Sequence, residues 1–156
     1  MIEELRWAPL FVMRLQVAYD RAQRIGAGPL GTRAIFPVDG GTFEGPRLKG
    51  RVLPDGADWV TWRSDGAMLI DVRTALETHD GAVIALTYQG LAVGRTPQAT
   101  ARFNSREGVA YADLYARTTP RFETSDPRYA WLNRVIAVAN GSRDQDGPIY
   151  HVFEVL

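Results

Sequence analysis

The chain has 156 residues, 46% of them hydrophobic, with 18 lysines and arginines against 18 aspartates and glutamates and no cysteine. That length builds one domain, residues 1–156, around a real core. The balanced charge argues against a nucleic-acid partner and favours self-association into a homo-oligomer, while the absence of thiols excludes disulfides, thiolate metal sites and cysteine nucleophiles. No basic start leads into an apolar stretch and no apolar run is long enough to cross a bilayer, so a cytoplasmic protein without a membrane partner is expected.

Strand signals dominate. Leu10–Val17 alternates with a period of two, as a half-buried strand does. Ile25–Gly31 is a glycine-rich connection, followed by a strand over Thr32–Val38, a turn at Asp39-Gly40-Gly41, and an extended segment over Thr42–Val52 that Gly45-Pro46 interrupts. Pro54-Asp55-Gly56 turns the chain into a strand over Trp59–Arg63. Ser64-Asp65-Gly66 and His79-Asp80-Gly81 then bracket the longest strand, Ala67–Thr78, before Ala82–Leu91. Turn signals this dense mean an antiparallel meander.

Thr96-Pro97 is an N-cap followed by proline at the first helical position, which predicts a short helix reaching Arg106. Strands return over Asp113–Thr118, Val135–Ala139 and Ile149–Val155. Pro120 is expected to break the ladder, and Asp126-Pro127 to start one helical turn over Arg128–Leu132. Strands in this number must hide their edges, and closure does so. The reading is all-β: an antiparallel β-barrel of about 8–10 strands with one or two short helices, with a half-open barrel or a two-sheet sandwich as alternatives.

Recognisable cofactor chemistry is missing. Gly26–Gly31 has the spacing of part of a dinucleotide fingerprint, but Pro29 and the strand that follows disqualify it. His79 sits in a turn. His151 lies on the last strand without a second histidine nearby, so no metal site is expected. No G-x-S-x-G elbow is present. No cofactor is therefore assigned.

Three segments in order carry a resemblance: GGTFEGPRLKGRVLPDGADW (40–59), DVRTALETHDGAVI (71–84) and YARTTPRFETSDPRYAWLNRVIAVA (115–139). Together they resemble the bacterial and fungal family called domain of unknown function 3237, or uncharacterised protein family 0311. The resemblance runs from about Leu10 to Leu156, including the final YHVFEVL. It implies a small antiparallel barrel that often self-associates, and no particular activity.

On the long strand, Met68, Ile70, Val72, Thr74 and Leu76 share one face, and Leu69, Asp71, Arg73, Ala75 and Glu77 the other. Either face can be the inner one; the place of Asp71-x-Arg73 in a family-like motif favours the polar face as cavity lining. Glu44, before a proline bend, and Asp58, after the Pro-Asp-Gly turn, complete the acid/base candidates with Asp71. The stretch TTPRFETSDPRYAWLNR (118–134) reads as a wall across a barrel mouth, serving as a plug, a pocket or both. Arg73, Arg117, Thr118, Glu123 and Asn133 are the polar binding candidates; Trp59, Tyr88, Phe122 and Trp131 are the enclosing rings. The expected function is cofactor-independent proton transfer, of isomerase, lyase, hydratase or cyclase type, on a small carbonyl-containing, aromatic or polyketide-like molecule. A non-catalytic carrier or sensor barrel is the alternative.

Overall fold

The computed structural model describes residues 1–156. Ten strands form one sheet: β1 (Trp7–Val17), β2 (Gln23–Gly28), β3 (Gly31–Glu44), β4 (Lys49–Val52), β5 (Gly56–Trp62), β6 (Met68–Thr78), β7 (Val83–Gly94), β8 (Leu114–Glu123), β9 (Ala137–Arg143) and β10 (Pro148–Val155). One α-helix, α1 (Pro97–Asn104), and 3-10 turns at Tyr19–Arg21, Tyr111–Asp113 and Ala130–Arg134 complete the chain. Every strand pairing is antiparallel. The order β1-β10-β9-β8-β7-β6-β4-β3, closed by β3 pairing with β1, makes an eight-position antiparallel β-barrel. β5 lies beyond β4 in the same slot between β3 and β6, and β2 extends β3 as a hairpin at one end.

The pleat decides what fills the barrel. On β6 the inner row is Ile70, Val72 and Leu76, all buried; on β7 it is Ile84, Leu86 and Tyr88; on β8 it is Leu114, Ala116, Thr118, Pro120 and Phe122. Asp71 and Arg73 therefore point outward. This corrects the assignment of the polar face to the cavity: the apolar row buries far more hydrophobic surface, at about 25 cal/mol per Å², than a polar row would.

Two turn or break signals behave otherwise than expected. Asp39-Gly40-Gly41 is no turn, because β3 runs through it. Gly41 has φ of +147°, and a Cβ there would lie 2.1 Å from the Arg14 carbonyl oxygen, so the glycine serves a close strand crossing. Likewise β8 passes straight through Pro120, which lies opposite Tyr88. Strand β9 pairs only with Arg117 and Thr118, so beyond Thr118 one side of β8 has no ladder that proline could interrupt. The glycine-rich connection at Ile25–Gly31 is mostly strand β2, and the turn expected over Arg128–Leu132 lies at Ala130–Arg134.

The helix signal holds. Thr96 caps α1 by accepting from the Ala99 N–H at 3.1 Å, with Pro97 behind it.

The stretch from Thr118 to Arg134 closes one end. The Thr124 hydroxyl donates to the Val83 carbonyl at 2.8 Å. Asn133 accepts from the Thr124 N–H at 2.8 Å and donates to the Thr124 carbonyl at 2.9 Å, imitating a strand partner. Tyr129 donates to Asp80 at 2.8 Å, and Arg128 joins Asp80 to Asp126. Beneath them Leu132 is fully buried. The segment is a plug held by the hairpin between β6 and β7. Leu132→Ala is expected to cost about 2–5 kcal/mol, and Asn133→Ala about 1–3 kcal/mol for the backbone groups it leaves unpaired. Urea unfolding checks both. Wild-type stability in N133A would contradict the clasp.

Candidate functional site

At the end opposite the plug the barrel is hollow. A cavity of about 290 Å³ opens there, near the lower edge of ordinary small-molecule sites. Its cause is a run of small inner residues on three neighbouring strands. Ala92 of β7 lies directly opposite Ala116 of β8. A Cβ on Gly141 of β9 would come within 2.8 Å of the Ala116 Cβ and 3.1 Å of the Tyr150 ring. At the plug end the interior is instead filled by larger groups such as Phe11, Phe43 and Phe122. The cavity parts that main core from a small apolar cluster of Ala34, Phe36 and Val60.

One wall is aromatic. Tyr19, Phe36 and Trp62 contact edge to face in sequence, at centroid separations of 5.8 and 5.9 Å. Phe103 and Asn104 of α1 and Arg106 just beyond it close the mouth with Arg24 of β2, and Ile70, Leu114 and Tyr150 line the interior. The buried face of α1 is Ala99 and Phe103, four residues apart, so the helix lays its apolar side across the opening.

Asp58 is the one acidic residue lining this space. It shares the inner face of β5 with Val60 and Trp62, and its neighbours across the sheet are Phe36 and Val72. The β5–β6 ladder opens between the Asp58–Val72 and Thr61–Leu69 pairs, and there Asp58 Oδ1 accepts the Asp71 N–H at 3.0 Å. Enclosure away from water pushes the Asp58 carboxyl up to about 7; the Asp71 charge adds to the rise, and the Asp71 N–H bond opposes it. Asp58 is half-buried and lines the cavity.

Beyond Asp58, two tyrosines meet at a centroid distance of 5.2 Å, Tyr150 on the cavity and Tyr88 behind it. Burial drives both phenols above their ordinary range, so each keeps its proton at neutral pH. The two hydroxyls are close enough to influence each other's titration, yet the Tyr88 hydroxyl makes no hydrogen bond of normal geometry. Arg143 lines the cavity from β9, the strand next to that of Tyr150. It donates from Nη1 to the Phe103 carbonyl at 3.3 Å and stacks 4.8 Å from the Tyr19 ring, while Nε and Nη2 are buried without an acceptor.

Of the residues expected from sequence, Asp58 lines the cavity and Tyr88 backs it. Thr118 and Phe122 point inward but lie outside the lining, and Phe122 packs on Phe11. The others are elsewhere. Glu44 is exposed opposite Lys49. Trp59 is 38% exposed on the outer face of β5. Asp71 and Arg73 border an outer groove with Thr87, Gln89, Thr119 and Arg121. Arg117 is held outside by Tyr111 and Tyr115, Glu123 is exposed, and Trp131 lies under Arg47 at 3.8 Å. Asn133 belongs to the plug. Tyr19, Arg24, Arg106, Arg143 and Tyr150 were not among the candidates. For Tyr150 a signal existed: alternation along β10 places it with Val152, opposite His151, which is exposed. No three or more His, Asp or Glu side chains converge as metal ligands would.

The family described as protein of unknown function DUF3237 matches residues 7–155. A UPF0311 protein of Rhodopseudomonas palustris is 36% identical over 132 residues, 83% of this chain and 86% of that one. One of Clostridium acetobutylicum is 30% identical over 155 residues, 99% of this chain and 96% of that one. Among crystal structures, a conserved protein of unknown function from R. palustris superposes with a TM-score of 0.90 at 30% identity, covering 99% of this chain and 100% of that one. A beta-barrel like protein from Acinetobacter baumannii gives 0.85 at 34%, covering 100% and 99%. An enzyme from Penicillium herquei gives 0.75 at 20%, covering 100% and 98%, a likeness of fold alone.

The raised Asp58 pKa has a consequence for stability. Between 3.8, its ordinary value, and about 7 the folded chain holds a proton that the unfolded chain has lost. Stability therefore falls as pH rises through that window, by about 4 kcal/mol at most, and the loss is complete above it. Asp58→Asn is expected to remove this slope, leaving the variant more stable than wild type at about pH 8. Urea midpoints at acid and alkaline pH check it; parallel profiles for the two proteins would contradict the burial of the carboxyl.

Proposed function

The chain belongs to the DUF3237 family, whose membership supplies a barrel and no chemistry, and we propose from the cavity itself that the protein is an enzyme of proton transfer acting on a small carbonyl-containing molecule. The observation that carries this reading is Asp58: a lone carboxyl in a mostly apolar chamber, with a pKa of about 7. A group poised there is a competent base and a competent acid at neutral pH.

Ionised Asp58 takes a proton from carbon beside the substrate carbonyl. Negative charge then develops on the carbonyl oxygen, where the Tyr150 hydroxyl, which lines the cavity, is the available donor. Protonated Asp58 returns the proton, to the same atom or to another. Isomerisation returns the proton to a different atom. In cyclisation the enolate carbon bonds to a second carbonyl of the same molecule, whose oxygen takes the proton. In elimination the enolate expels a β-hydroxyl, which takes the proton and leaves as water, and hydration is the reverse. The wall of Tyr19, Phe36 and Trp62 suits a flat, aromatic or polyketide-like body. The reading moves the acid–base role from Glu44 and Asp71, which lie outside the cavity, onto Asp58 alone.

The apolar wall would serve a carrier or sensor equally well. The perturbed carboxyl favours catalysis, because a carrier gains nothing from a group that titrates at neutral pH. The Penicillium herquei enzyme is a precedent at the level of fold.

Exchange of α-hydrogen for solvent deuterium, followed by proton NMR over a panel of small aryl ketones and β-diketones, tests the step without knowledge of the product. Wild type is expected to accelerate exchange for at least one compound, and Asp58→Asn to lose that acceleration by about 10²-fold or more. Acceleration that persists undiminished in D58N would refute the role of Asp58.

A further inference from the structure

Helix α1 ends in a hydrogen-bonded reversal that normally employs glycine. The Arg106 N–H donates to the Phe103 carbonyl at 3.1 Å and the Glu107 N–H to the Arg102 carbonyl at 3.0 Å. That pattern puts the residue after the cap in the left-handed region, where a side chain is strained and glycine is not. Here the residue is Arg106, with φ of +64°. Asp55 is the only other non-glycine residue with positive φ, and its short polar side chain in a tight turn tolerates it. Arginine has no such local reason.

The strain places the Arg106 guanidinium on the cavity, 5.3 Å from the Tyr19 ring, which Arg143 also approaches, at 4.8 Å. Two like charges thus converge on one ring, with Arg24 also on the lining. None of the three is within ion-pair distance of a carboxylate. Arg24 and Arg106 are exposed to solvent at the mouth, whereas Arg143 is half-buried. On Arg143 the two atoms without acceptors are Nε and Nη2. These form one edge of the guanidinium, the edge whose parallel N–H bonds fit a carboxylate's two oxygens. A buried pair of parallel donors without acceptors is costly unless something fills it.

We propose that the cavity takes a small organic carboxylate, seated on the Nε–Nη2 edge of Arg143 and clamped by Arg106, and that this clamp is why an arginine holds a position suited to glycine. The proposal names the substrate class of the site and rests on the reading of that cavity as a substrate site. The carboxylate supplies the counter-charge that the three arginines lack, and its flat body lies along Phe36 and Trp62. Arg106 is in this account a specificity-determining residue, acting on binding and not on the proton.

Calorimetry with benzoate and its neutral isostere benzamide as probes tests it, at mildly acid pH where Asp58 is protonated. Benzoate is expected to bind at least about tenfold tighter than benzamide, with the preference lost in Arg143→Met. Should R143M fail to fold, Arg143→Lys keeps the charge, lacks the paired edge and is expected to lose most of the preference. Arg106→Gly is expected to melt about 2–4 °C higher, by relief of the strained backbone, while binding benzoate several-fold more weakly. A purely structural arginine would give the rise in melting temperature without the loss of affinity. No benzoate binding by wild type, equal binding of both probes, a preference that survives in R143M or R143K, or unchanged affinity in R106G would each overturn the proposal. Asp58→Asn separates this from the catalytic reading, since it should abolish deuterium exchange yet keep the benzoate preference. Retained exchange in D58N would defeat the catalytic step alone.

Discussion

An eight-position barrel admits one row of side chains per strand into a narrow interior, and the pleat fixes which row that is. Everything else in this molecule follows from how unevenly that interior is filled. Large groups such as Phe11, Phe43, Phe122 and Leu132 meet at one end and leave no room. At the other, Ala92, Ala116 and Gly141 meet on adjacent strands and leave a chamber. The plug and the cavity are thus two outcomes of one packing rule. A barrel with larger residues at those three positions would have no site.

The chamber is also where local preferences are broken. A carboxyl is enclosed with a single backbone partner. An arginine is desolvated with two donors idle, and another occupies left-handed backbone. Each departure costs stability, and all three surround the same volume. The plug end shows the opposite pattern: Asp80, Asp126, Arg128, Tyr129, Asn133 and Thr124 have partners throughout, and the Asp80 and Asp126 carboxyls are held below their ordinary range by hydrogen bonds. The strained Arg106 and the idle Arg143 donors are thus gathered at the cavity, while the charged groups of the plug are paired. The buried hydroxyls of Thr74, Tyr88 and Thr118, outside the cavity lining, also lack partners.

Much of this was legible in the sequence. Period-two runs give nearly every strand, turn residues give the hairpins, and Thr96-Pro97 gives α1, because each is a local rule with a local cause. The departures have causes that are not local. Gly40-Gly41 reads as a turn until Arg14 is seen crossing Gly41, and Pro120 reads as a break until β9 is seen to leave that flank of β8 unpaired. Alternation on β6 identified two faces without saying which was inner; the large hydrophobic surface of Ile70, Val72 and Leu76 decides it. Asp58 was found as the carboxylate after the Pro-Asp-Gly turn and Tyr88 as a candidate enclosing ring, and the pleat turns both inward. The arginines were missed because Arg24, Arg106 and Arg143 lie far apart in the chain, beside turns or loops, and meet only after closure.

The central claim is that barrel closure places a single carboxyl, Asp58, inside a chamber that keeps it protonated to neutral pH. Carbon-13 NMR of the aspartate carboxyls, with Asp58 assigned by its absence in Asp58→Asn, measures this directly. The account predicts a carboxyl resonance titrating with a midpoint near the value of about 7 that burial imposes. A midpoint at the ordinary 3.8 would mean that the group is solvated, and would contradict both the chamber and the chemistry assigned to it.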